Sequence, residues 1–180
     1  MRIVVSGTHG SGKSTLISDF ASVRPDYIRL DDPYESVDDA DSAGIASFVA
    51  QFRVASARLR DEPTTSVIAE RGPLDFLAYL VAFDTLGRGD TSALVHSGLS
   101  TARRAMDTVD LVVVLPADTV DVPSDEDRSL RVAMADALLE LVDDADITGP
   151  ARVVELSGSP EARLAALLEE LDGSSSLAPI

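Results

Sequence analysis

The chain has no cysteine, no tryptophan, two histidines and one lysine in 180 residues. Without cysteine, disulfides and thiolate-bound metals are excluded, and His9 and His96 alone do not make a multi-histidine zinc site. Any metal is therefore expected on oxygen ligands. No apolar run approaches the roughly 18 residues that a membrane span needs. Strand-like sequence begins at Arg2, so no signal peptide is expected either, and the expected location is cytoplasmic. Positive charge is scarce as well, since 15 Lys and Arg face 31 Asp and Glu for a formal net charge of -16. Nucleic acids and anionic membranes need a basic face, so neither is an expected partner.

Against these absences, hydrophobic content of 45% with 26% charged residues is that of a folding globular chain. Its length suits one domain, expected over residues 1–173, with 174–180 as a flexible tail. Arg2 to Ser6, Ser66 to Ala69 and Asp110 to Leu115 are short apolar runs rich in β-branched residues, the pattern of strands buried on both faces of a parallel sheet. Tyr27 to Leu30 and Arg152 to Leu156 are weaker strand signals. Between them, Phe48, Phe52, Ala55 and Leu59 share one helix face, as do Leu164, Leu167, Leu168 and Leu171. Ser159-Pro160 reads as the start of that last helix and Gly173 as its stop. Alternating strands and helices predict an open α/β sheet with right-handed crossovers.

The most specific stretch is Gly7-Thr8-His9-Gly10-Ser11-Gly12-Lys13-Ser14, which fits Gly-x-x-x-x-Gly-Lys-Ser between a strand and a helix. Its glycines let successive N–H groups turn inward around phosphate oxygens, and the new helix adds its positive end. Lys13 is expected to reach the β- and γ-phosphates and Ser14 to bind magnesium. Arginine supplies every other basic side chain, so a lysine here is not background usage. A compact ammonium fits a tight cradle where a planar guanidinium does not. Thr8 and His9 occupy variable positions of the loop, and Thr15 follows it.

With Gly7 to Thr15, Glu70 to Leu80 and, more weakly, the segments near 128 and 158, the chain resembles P-loop kinases of the nucleoside and nucleotide type. These include thymidylate, deoxynucleoside and nicotinamide riboside kinases and small proteins labelled AAA-family ATPases. The resemblance implies a P-loop NTPase three-layer sandwich with a five-stranded parallel sheet in the order 2-3-1-4-5. It also implies Mg2+, ATP as phosphate donor and a small-molecule acceptor. On it, Ser14 and Glu70 hold the metal, and Arg71 neutralises the transferring group. Asp32 of Asp31-Asp32-Pro33, in the place of a Glu-Pro, accepts the proton of the attacking hydroxyl. Arg128 and Arg131 belong to a lid, and Gly158 and Pro160 lie in a loop against adenine.

Each role has a plainer counterpart in the residues: a strand-end ion pair for Glu70-Arg71, an Asp-Pro turn for Asp32, and helix capping for Gly158 to Pro160. Asp75 reads as a helix-start residue or an orienter of Arg71, and Gln51 as a solvent-facing residue or a reader of a base amide. No Arg or Lys falls between Leu30 and Phe52, while Asp31, Asp32, Glu35, Asp38, Asp39 and Asp41 do. A monophosphate acceptor needs arginine clamps, so a neutral or cationic, nucleoside-like hydroxyl compound is expected. The alternatives are a nucleoside monophosphate kinase and a nucleotide-dependent switch or regulatory ATPase acting on a protein. A homodimer stays open.

Overall fold

Val4 pairs with Ala69 on one side and with Val112 on the other, and this central ladder organises the molecule. A computed structural model describes residues 1–36, 44–116 and 127–175. Five strands, β1 (Arg2–Ser6), β2 (Ile28–Leu30), β3 (Val67–Glu70), β4 (Leu111–Val114) and β5 (Arg152–Glu155), lie parallel in the order β2-β3-β1-β4-β5. This is the order that the resemblance implies.

Helices connect the strands: α1 (Lys13–Val23), α2 (Ile45–Asp61), α3 (Pro73–Thr85), α4 (Ser92–Met106), α5 (Arg128–Asp143), the short α6 (Ala145–Thr148) and α7 (Pro160–Ser175). A 3-10 turn covers Pro33–Ser36. The period of two along each strand sorts side chains to opposite faces. Val4, Ala69, Val112 and Val114 face α2, α3, α4 and α5, where Phe48, Phe52, Leu77 and Met134 complete one core. Ile3, Val5, Ile68, Leu111 and Val113 face α1 and α7, where Phe20, Leu167 and Leu171 complete the other. Helices on both faces explain why the strands read as continuous apolar runs.

Two features differ from the sequence reading. Gly173 does not stop the last helix, which runs on to Ser175. A Cβ at Gly173 would meet nothing within 4 Å, so no packing demand breaks the helix there. Second, β3 and β4 are joined by two helices, and α4 lies in a stretch that the helix stripes leave unassigned. Residues 176–180 of the expected tail and 117–126 of the expected lid fall outside the described residues, as do Asp38, Asp39 and Asp41. Among the described residues, no helix is long and apolar enough to cross a membrane.

Candidate functional site

β1 ends at Ser6, and the chain turns at its carboxyl edge through Gly7 into the loop that opens α1. Gly7 has φ +147, and a Cβ there would lie 2.6 Å from Leu115 O, so glycine is required by conformation and by space. Gly12, with φ +90, is the N-cap of α1 and holds the same left-handed requirement. Thr8, Ser11 and Lys13 are buried within this loop, whereas His9, Ser14 and Thr15 are exposed.

Lys13 Nζ donates to Gly7 O at 2.9 Å and to Thr8 O at 2.6 Å, which draws the loop into a ring around the ammonium. Burial pushes this ammonium down from 10.5 to about 8, and the neighbouring Arg71 charge adds to the fall. Asp75, Glu70 and Asp32 act against it.

Beside the loop, β3 delivers Glu70 to the same edge of the sheet, because Val5 and Glu70 are in register. Ser14 Oγ donates to Glu70 Oε1 at 2.6 Å. A hydroxyl and a carboxylate brought together at the mouth of a phosphate loop suit a hard, oxygen-seeking cation, so the residues present fit magnesium. Among the described residues no group of three or more His, Asp or Glu could hold a metal by itself. Such a cation would draw its remaining ligands from water and nucleotide phosphates.

Arg71 follows in the left-handed region, with φ +63. For a residue with a side chain this costs roughly 1–2 kcal/mol. The conformation turns the chain sharply after the strand while Arg71 N still donates to Val5 O at 3.0 Å. The buried guanidinium brings Nε to 3.3 Å from Asp32 Oδ2 and lies over the Tyr79 ring at 5.9 Å. Asp32 is in turn placed by its own loop. Its Oδ1 accepts from Tyr34 N at 3.0 Å, and Arg58 reaches back from α2 to Asp31 O at 2.9 Å and to Ser36 Oγ. Arg58 thus pins the Asp31 to Ser36 segment, and Arg53 is exposed.

The structure overturns one sequence expectation and extends another. Gln51 does not face solvent: it is 1% exposed, with Nε2 donating to Ser47 Oγ at 2.9 Å and Oε1 without a hydrogen-bond partner among the described residues. Nearby on the same helix Phe48 stacks on Tyr79 with centroids 4.2 Å apart. Asp75 is also more than a helix-start residue. It is fully buried and accepts from Ser6 Oγ at 2.7 Å, Gly7 N at 2.9 Å and Gly72 N at 2.9 Å. One carboxylate therefore ties the start of the phosphate loop to the turn behind Glu70 and Arg71. Burial pushes the Asp75 carboxyl above its usual range, while these three donors pull against the rise.

The two arginines expected in a lid part company. Arg131 is buried, and its Nη1 would lie 3.7 Å from a Cβ on Gly10, which puts it beside the phosphate loop. Arg128 is exposed and lines a cavity of about 740 Å³ between α3 and α5 with Val81, Leu86 and Val132, none of them from the loop. Gly158 and Pro160 are exposed at the entry to α7, where Ser159 Oγ caps Ala162 N at 3.3 Å. Sequence reasoning missed Arg163, whose Nη1 donates to Ser11 O at 2.8 Å.

No family model matches the chain, and no curated protein sequence matches it. Solved structures do. The deoxyadenosine kinase of M. mycoides with bound dATP superposes with a TM-score of 0.71 at 15% identity, covering 96% of this chain and 100% of that one. The thymidylate kinase of Candida albicans gives 0.67 at 19% identity, covering 96% of this chain and 91% of that one. The YorR protein of Bacillus subtilis, in complex with phosphorylated GDP, gives 0.54 at 15% identity, covering 99% of this chain and 100% of that one. With its parallel sheet ordered β2-β3-β1-β4-β5 and its glycine-rich loop after β1, this chain has the fold of the P-loop nucleoside and nucleotide kinases.

Proposed function

We propose that the protein is an ATP- and magnesium-dependent phosphotransferase that phosphorylates a hydroxyl of a small, nucleoside-like acceptor. The observation that carries this reading is the convergence of two pairs at the carboxyl edge of the sheet, Ser14 with Glu70 and Arg71 with Asp32. A loop that only binds nucleotide needs the first pair at most. Transfer also needs a cation for the migrating phosphoryl and a base for the incoming hydroxyl.

In this mechanism the loop amides and Lys13 hold the donor phosphates, and Arg71 and Arg131 offset charge on the phosphoryl oxygens as it moves. The acceptor oxygen bonds to the γ-phosphorus, the bond from that phosphorus to the bridging oxygen breaks, and ADP leaves. The acceptor's proton passes to an Asp32 carboxylate oxygen. Arg71, 3.3 Å away, orients that carboxylate. Magnesium held by Ser14 and Glu70 would neutralise the phosphate oxygens when bound. Arg128 stands apart from these residues and has no step here.

The acceptor reading is supported by what the cations already do. Arg58 is engaged by Asp31 O and Ser36 Oγ, so this cation beside the acceptor segment is not poised for a monophosphate. The buried Gln51 Oε1, without a partner among the described residues, suits an amide or amino donor on a heterocyclic base. The test is a coupled ADP-release assay over nucleosides, nucleoside monophosphates and amino sugars with ATP and magnesium. Acceptor-dependent turnover that disappears in Lys13→Ala is expected; turnover unchanged in that variant removes the reading.

A further inference from the structure

Arg163 approaches the phosphate loop from behind and has no place in the mechanism above. It closes the first turn of α7, where its amide donates to Ser159 O at 3.0 Å. Its side chain is 6% exposed and spans from that helix to the loop, where Nη1 donates to Ser11 O at 2.8 Å. The same nitrogen would lie 3.0 Å from a Cβ placed on Gly12, so it sits close against the Ser11-Gly12 peptide.

All described peptide bonds are trans. A trans peptide points its carbonyl and its N–H in opposite directions. With Ser11 O drawn toward α7, the N–H of Gly12 is aimed away from α7. In the nucleotide reading, which this inference rests on, that is the direction of the donor phosphates. Gly12 has φ +90 and no side chain to restrain its peptide plane, so an outside contact is what fixes it. A charged donor does this more firmly than a neutral one.

We infer that Arg163 is a positioning residue of the phosphate loop, locking the Ser11-Gly12 peptide so that its N–H faces the phosphates and placing a fixed positive charge behind them. It acts through the loop and does not touch the nucleotide. Its effect therefore belongs to phosphate affinity and not to the nucleoside portion of the donor.

The test measures binding of a non-hydrolysable ATP analogue and of adenosine to the full chain, with magnesium, in the wild type, Arg163→Met and Arg163→Lys. Arg163→Met should weaken the triphosphate about 10- to 100-fold, the range for a hydrogen bond to a charged group. Adenosine affinity should stay within about twofold, and Arg163→Lys, which keeps charge and donor, should recover most of the loss. Leu167 and Leu171 continue to bury α7 in every variant. Wild-type triphosphate affinity in folded Arg163→Met overturns the inference, and so does an equal loss for adenosine and triphosphate. If Arg163→Met does not fold, Arg163→Gln replaces it under the same criteria. A wild-type protein that binds no ATP analogue removes the nucleotide reading as well, whereas wild-type binding with an unaffected variant removes the role of Arg163 alone.

Discussion

Ser14 and Glu70 stand 56 residues apart in the chain, yet their side chains meet at 2.6 Å. The hydroxyl comes from the first turn of α1 and the carboxylate from the last residue of β3, and the β1-β3 register brings both to one edge. If they share a cation, their effects on metal dependence are coupled. Glu70→Gln and Ser14→Ala should each raise the magnesium concentration for half-maximal activity, by roughly 10-fold or more. The double variant should cost less than the product of the two singles, because the pair acts as one unit. Magnesium titrations of the four proteins check this.

Lys13 should make nucleotide binding pH-dependent. Its folded value of about 8 lies below the ordinary 10.5, so between these two values the unfolded chain holds a proton that the free folded protein has released. More protons on the unfolded side means that stability contributed by this group rises with pH through that window. Phosphates favour the charged ammonium, so the opposite trend is expected for ATP affinity, which should fall above about pH 8 with proton uptake on binding. Calorimetry in buffers of different ionisation enthalpy reads the uptake, and Lys13→Met should abolish it.

Asp75→Asn keeps the side chain's shape but turns one acceptor into a donor facing the Ser6 hydroxyl and the Gly72 N–H. A buried donor left without its acceptor costs about 1–3 kcal/mol. The expected loss is in that range or slightly above, read by urea denaturation. Ser6→Ala, which removes one hydroxyl from the same carboxylate, should cost less.

Arg71→Gly separates backbone from side chain. Glycine adopts φ +63 freely, so the conformational cost at this position is relieved. The guanidinium beside Asp32 is lost, and turnover should fall roughly 1,000-fold, as for arginines that stabilise a transferring phosphoryl. Thermal unfolding near the wild-type temperature together with that loss is the expected pair of results. Turnover within threefold of wild type would place Arg71 outside the reaction.

Much of the frame was legible in the residues themselves. Val4, Val5 and Val112 to Val114 announce a sheet covered on both faces, and Gly7 to Ser14 announces the phosphate loop, because each is a local pattern with a local cause. Gln51 and Asp75 were harder for the same reason. A polar residue on an amphipathic helix reads as its wet face, and nothing local says that α3 is buried almost all round by α2, α4 and α5. Arg163 carries no local signal at all, since its partner Ser11 lies 152 residues away.

The sequence by itself determined that a strand, a glycine loop and a helix would meet around one lysine, because those conformational demands are satisfied within eight residues. The side chains gathered around that lysine were decided only by the tertiary structure. Glu70, Asp75 and Arg163 converge on the loop because the parallel order β2-β3-β1-β4-β5 places β3 beside β1, and α7 packs on α1. Contacts across a sheet depend on which strands are neighbours, and that is settled by burying both faces at once rather than by any one segment.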